Sequence, residues 1–96
     1  MKKQALSFKN KVIAAVSRIP HGSVLTYAQV AARAGSPKAF RAVGTILSKN
    51  FNPNIPCHRV ICSDGNIGNY NRGREKKFLL LKKEGALQKS IKLKRS

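Results

Sequence analysis

Apolar residues recur at helical spacing over Phe8, Val12, Ala15, Val16 and Ile19, and Ser7 stands where an N-cap belongs. That pattern predicts a core-packing helix ending at Ile19-Pro20. After a turn at His21-Gly22-Ser23, Thr26-Tyr27-Ala28-Gln29 reads as a capping box that opens a short helix through Ala34, stopped by Gly35. Ser36 as N-cap and Pro37 at the first helical position then start a third helix, with Ala39, Val43, Ile46 and Leu47 as its apolar face, running to about Lys49. Two short helices joined by a tight Gly-containing turn form a helix-turn-helix pattern.

Beyond it, the Asn- and Pro-rich stretch from Phe51 to Asn54 predicts a loop that delivers Pro56-Cys57-His58-Arg59 on irregular backbone. Val60-Ile61-Cys62 reads as a strand, Asp64-Gly65 as a hairpin turn, and residues 66–70 as the antiparallel return. Asn71-Arg72-Gly73 is another loop. A last helix over about 74–84 is expected to turn Phe78, Leu79, Leu80 and Leu81 to the core and to end at Gly85. The predicted fold is mainly α with a small β-hairpin, a winged-helix-like helix-turn-helix domain over residues 1–88, followed by a basic tail over 89–96.

Charge changes the picture. Lys and Arg number 20 against 3 Asp and Glu, a net charge of +17, which calls for a polyanionic partner. Nucleic acid is the commonest one, because clustered Lys and Arg gain affinity by releasing counterions from phosphates. The third helix would then be the DNA reader. It carries Lys38, Arg41 and Lys49 among Ala39, Ala42 and Gly44, small residues that permit close approach. The apolar run from Val12 to Val16 is too short for a signal peptide, and no run is long enough to span a bilayer, so a soluble cytoplasmic or nuclear protein with no membrane partner is expected. Without a phosphate-binding Gly motif or paired carboxylates, nucleotide hydrolysis and glycosidase chemistry have no support.

The candidate chemistry centres on Cys57, a thiol followed at once by His58 and Arg59. A cysteine nucleophile needs a base or a positive charge nearby to supply thiolate. On the Cys-His pair alone, an ordinary small buried thiol is the better account. Cys62 reads as such a filler, and both thiols are expected to be free in a reducing compartment. The set Cys57, His58, Cys62 and His21 matches no paired-ligand spacing, so no metal is expected. Only Asp64, Glu75 and Glu84 could hold His58 as a base. Asp64 has a turn role and Glu75 suits a helix N-terminus, whereas Glu84 in a last helical turn opposes the dipole and invites a second use.

The order Thr26-Tyr27, Arg41-Ala42-Val43-Gly44, Asn50, Ile55-Pro56-Cys57-His58-Arg59-Val60, Gly68-Asn69-Tyr70 and Glu84-Gly85 resembles the DNA-binding, catalytic half of O6-alkylguanine-DNA alkyltransferases. The resemblance covers residues 8–85. It implies a monomeric, cofactor-free repair protein that flips O6-alkylguanine out of double-stranded DNA and takes the alkyl group irreversibly onto Cys57. It further implies that Glu84 orients His58, that His58 takes the Cys57 proton through a water, and that Tyr27 donates to guanine N3. Asn50, or alternatively Asn52, would shape the active-site turn, and Val60, Tyr70 and Asn71 would border the guanine and its alkyl group. Arg41 would fill the vacated space from the minor groove, with Thr26, Ala39, Ala42 and Gly44 against the DNA. Four departures from the family pattern are expected to matter: these residues match no part of its N-terminal domain, the Asn50–Cys57 loop is one residue shorter, Phe40 stands where a small residue is usual, and Asn71-Arg72 follows Tyr70. Two other readings are a non-catalytic lesion-binding protein that recruits another repair pathway and a basic architectural DNA binder with an incidental cysteine.

Overall fold

In the computed structural model, residues 7–86 are described. The expected basic tail, 89–96, lies outside the described residues.

Helix α1 (Phe8–Ser17) starts as its cap predicts, with Ser7 Oγ accepting from the Asn10 amide at 3.1 Å. Helix α2 (Tyr27–Arg33) opens on the expected reciprocal box, Gln29 N to Thr26 Oγ1 at 3.0 Å and Thr26 N to Gln29 Oε1 at 2.8 Å. Helix α3 (Phe40–Ser48) begins later than the Ser36-Pro37 signal suggests. The reason lies in the end of α2, where Ser36 N donates to Ala31 O at 2.9 Å and Gly35 N to Ala32 O at 3.0 Å. That paired arrangement is a Schellman motif, so Ser36 serves to close α2 instead of capping α3.

The small sheet differs from the expected hairpin. Strand β1 (Leu25–Thr26) pairs in parallel with β2 (Val60–Ile61), Leu25 opposite Val60 and Thr26 opposite Ile61. The Asp64-Gly65 turn forms, with Gly65 N to Cys62 O at 3.1 Å and Cys62 N to Asn66 O at 2.8 Å, but 67–70 make no strand. Both residues of β2 are buried, and a strand covered on both faces suits parallel pairing reached by a helical crossover, here α2 and α3. The fold is thus mainly α with a small parallel sheet. No helix among the described residues is long and apolar enough to cross a membrane.

Val60 and Ile61, on opposite faces of β2, join two apolar clusters. The first unites α1, α2 and α3 around Val12, Val16, Val30 and Val43, and takes in Cys57 and Val60. The second holds Ile61, Ile67, Leu81 and Ala86. Helix α4 (Arg74–Lys83) buries Leu81 and, against expectation, Lys77, while Leu79 is exposed. Positions 77 and 81 are one helical turn apart on one face, which carries Leu79 to the other side. A second Schellman motif ends α4, with Ala86 N to Leu81 O and Gly85 N to Lys82 O, both at 3.0 Å, and Gly85 at φ 74°. It fixes Glu84 as the C-cap.

Candidate active site

Cys57 opens a short 3₁₀ turn (Cys57–Arg59) where the sequence suggested irregular backbone. Its Sγ accepts a hydrogen bond from Asn50 Nδ2 at 3.1 Å. Asn50 Oδ1 in turn accepts from Asn52 N at 3.2 Å, and Asn52 Oδ1 from Asn54 N at 2.9 Å, so the loop is built from successive Asn side-chain turns. Of the two candidates, Asn50 is the one placed at the sulfur. Asn71 ties the same loop to the end of α3, its Nδ2 donating to Asn50 O at 2.7 Å and Ser48 O at 3.2 Å.

The next two residues of the turn meet Glu84. His58 Nε2 lies 2.8 Å from Glu84 Oε2, and Arg59 gives Nε to Oε1 and Nη2 to Oε2, each at 2.9 Å. The third Arg59 nitrogen, Nη1, donates to Ile19 O at 2.8 Å and anchors the turn to the end of α1. The Arg59 bonds, helped by His58 and opposed by burial, pull the Glu84 carboxyl down to about 2, so it stays ionised.

Lys77 is a residue that sequence reasoning passed over. It is fully buried, with Nζ donating to Val60 O at 2.7 Å and Asn69 O at 3.1 Å and standing 5.6 Å from the Tyr27 ring centroid. Burial pushes it down to about 8 despite the opposing influence of Cys62 and Cys57. The one available cue was its i, i+4 spacing to Leu81, which in so basic a chain does not single out one lysine.

Tyr27 and Cys57 are both shifted toward their neutral forms. Burial raises Tyr27 to about 12, which keeps its phenol protonated. Burial also pushes the Cys57 thiol up, while the Asn50 bond and the charges of Lys77 and Arg72 work the other way. Above the phenol, the chain passes at Gly68, where φ is +79° and a Cβ would stand 3.3 Å from Tyr27 Oη and from Cys62 Sγ. Only glycine suits that left-handed, crowded position.

An open cavity of about 810 Å³ gathers these groups. Among the expected residues Tyr27, Arg41, Gly44, Cys57, Tyr70 and Asn71 line it, and Cys62, expected as buried filler, is a half-buried part of its wall. Asn50, His58 and Glu84 are not part of that lining; Asn50 reaches it through the Cys57 sulfur, and His58 stands edge-on to Tyr70 at 6.4 Å between ring centroids. Val60, expected at the pocket, has its side chain in the core instead, and Lys77 occupies its carbonyl. Thr26, Ala39 and Ala42, expected against the DNA and not in the pocket, lie outside the lining; Ala42 is exposed on α3 and Thr26 caps α2.

Fold and cavity together define a helix-turn-helix domain with a thiol in a cleft beside its second helix. Residues 7–86 match the family described as 6-O-methylguanine DNA methyltransferase, DNA binding domain, and the chain belongs to that family. It is 51% identical over 79 residues to the methylated-DNA–protein-cysteine methyltransferase of Methanothermobacter thermautotrophicus, covering 81% of this chain and 44% of that protein. To the human protein of the same name it is 46% identical over 84 residues, covering 85% and 41%. The chain thus spans less than half the length of these two relatives. Among solved structures, Mycobacterium tuberculosis OGT in complex with DNA superposes with a TM-score of 0.78 at 35% identity, covering 84% of this chain and 50% of that one. Atl1 of S. pombe, in complex with damaged DNA containing O6-carboxymethylguanine, superposes with a TM-score of 0.72 at 38% identity, covering 81% and 75%.

Proposed function

We propose that this chain repairs O6-alkylguanine in double-stranded DNA by transferring the alkyl group to its own Cys57, once per molecule, as a monomer and without a cofactor. The observation that carries this reading is the placement of the Cys57 thiol and the Tyr27 phenol in one cavity, with the next residue after the thiol, His58, paired to Glu84. The relatives named for methylated DNA and protein cysteine support the same chemistry.

In the reaction His58, oriented by Glu84, takes the Cys57 proton through a water. The sulfur attacks the alkyl carbon, a C–S bond forms as the C–O6 bond breaks, and the electron pair passes to the guanine. Tyr27, held protonated by burial, donates to N3 as that charge develops. The thioether product is a poor leaving group, so the protein is consumed. Arg41, exposed at the cavity rim, fills the space left by the flipped base, and the net charge of +17 holds the domain on the phosphates.

The likeness to Atl1 in complex with damaged DNA supports a second reading, recognition of the lesion without transfer. Incubation with a duplex carrying O6-methylguanine, followed by intact-protein mass measurement, separates the two. A gain of one methyl that vanishes in Cys57→Ala establishes transfer. Tight lesion binding with unchanged mass refutes it and leaves the second reading.

A further inference from the structure

Phe40 is 47% exposed and belongs to neither apolar cluster, yet it lines the cavity that holds Cys57. It is the first residue of α3. Helical periodicity puts Phe40, Gly44 and Leu47 along one stripe and Arg41, Thr45 and Ser48 along the adjoining one, and all six line the cavity. Within the first stripe Leu47 is buried, and Gly44 has no side chain for the Phe40 ring to lean on. Phe40 therefore stands at the rim, beside the exposed Arg41.

The surroundings indicate what meets this ring. Arg41 and Arg74 line the same cavity, Lys38 is exposed just before α3, and no Asp or Glu is among the lining residues. An aromatic side chain set beside cations in a lining that holds no acid is the combination that stacks nucleic-acid bases while phosphates are held electrostatically. Removing one nucleotide from a duplex exposes the faces of the bases beside it. Apolar wedges inserted from the minor groove are a general means of offsetting that loss of stacking.

We propose that Phe40 is a second wedge, stacking on the base next to the vacated position while Arg41 fills the gap itself. This rests on the base-flipping reading above and adds to it a residue that senses the neighbouring base and not the lesion. Base flipping would then be held open from two sides by side chains one residue apart on α3.

The test uses the whole chain and a duplex with O6-methylguanine flanked by 2-aminopurine, whose fluorescence reports stacking, alongside free O6-benzylguanine as a substrate that needs no flipping. Phe40→Ala is expected to slow transfer from the duplex about tenfold, to change transfer from the free base by less than about twofold, and to abolish the 2-aminopurine response; Phe40→Trp is expected to retain all three. An unchanged duplex rate and fluorescence in Phe40→Ala would overturn the proposal. So would an equal loss on duplex and free base, which would make Phe40 a cavity wall only. A wild-type chain that transfers nothing but still gives a Phe40-dependent fluorescence response removes the alkyl-transfer reading and leaves the wedge standing. Absence of both signals in the wild type removes both.

Discussion

His58 and Glu84 meet across 26 residues of sequence, Nε2 and Oε2 being 2.8 Å apart. The contact exists because Gly85 closes α4 in a Schellman motif with Glu84 at the C-cap, and because Arg59 grips the same carboxylate with two nitrogens. An acid at a helix C-terminus, unfavourable for the dipole, is here compensated by a guanidinium and an imidazole. Glu84→Gln removes the charge and leaves Arg59 without its ionic partner in a largely buried setting, at an expected cost of about 2–4 kcal/mol in stability. Alkyl transfer at neutral pH should fall by about a hundredfold if the His58 base depends on Glu84. Urea unfolding and single-turnover kinetics read the two effects separately. Lost stability with an unchanged rate would make Glu84 purely structural.

Acid should act on the same pair. The Glu84 carboxyl is held at about 2 in the folded chain against an ordinary value of 4.5. Between these values the unfolded chain binds more protons than the folded one, so stability rises with pH there. The contribution is complete above 4.5 and is lost as pH falls toward about 2. The gap in urea midpoint between wild type and Glu84→Gln should therefore narrow from pH 5 to pH 3. A constant gap would mean that the carboxylate charge is not what Gln lacks.

Much of this arrangement was legible in local sequence and part of it was not. Ser7 and the Thr26–Gln29 box located two helices because a cap acts within one turn. Pro37 misplaced the start of α3 because the end of the preceding helix claimed Ser36, a competition that a single-residue rule does not register. The hairpin failed for a similar reason. Asp64-Gly65 does form a turn, but β2 is buried on both faces and pairs with a strand 35 residues earlier, Leu25 against Val60. Glu84 was singled out by its conflict with the helix dipole, whereas Lys77 carried no conflict visible in one dimension.

Lys77 should set the reactivity of Cys57. Its buried ammonium favours the thiolate, and its folded-state value of about 8, below the ordinary 10.5, means that this help is present below about 8 and fades as pH rises through it. Lys77→Met should lower the rate of Cys57 alkylation by iodoacetamide at neutral pH by roughly several-fold, with the gap closing toward pH 10. Lys77→Arg, which keeps the charge, controls for the loss of the bonds to Val60 O and Asn69 O. Equal rates in wild type and a folded Lys77→Met would dismiss the electrostatic role.

The loop distinguishes its two asparagines. Asn50 Nδ2 touches the Cys57 sulfur, whereas the Asn52 side chain accepts from the backbone of Asn54, its amide donates to Asn50 Oδ1 and its carbonyl accepts from Ile55 N. Asn50→Ala should slow alkyl transfer by about ten- to a hundredfold, since it removes a hydrogen bond that favours the thiolate. Asn52→Ala should cost no more than about threefold, the effect of a loosened turn. A larger loss at Asn52 would reverse the assignment.

Arg41 tests whether α3 opens the duplex or merely holds it. Its side chain is exposed at the cavity rim, so Arg41→Ala should leave the unfolding free energy in urea within about 0.5 kcal/mol of wild type. Binding to undamaged duplex should weaken only by the value of one cation among many, and its steep decline with added salt should persist, because the net charge of +17 is spread over the chain. Transfer from O6-methylguanine in duplex DNA should fall far more, by about a hundredfold, while transfer from free O6-benzylguanine, which needs no flipping, should be unchanged. Parallel losses in bulk binding and duplex transfer would reduce Arg41 to a phosphate contact. A loss shared by the free base would place it in the cavity's own chemistry, because a side chain that only fills the vacated position cannot influence a substrate that vacates nothing.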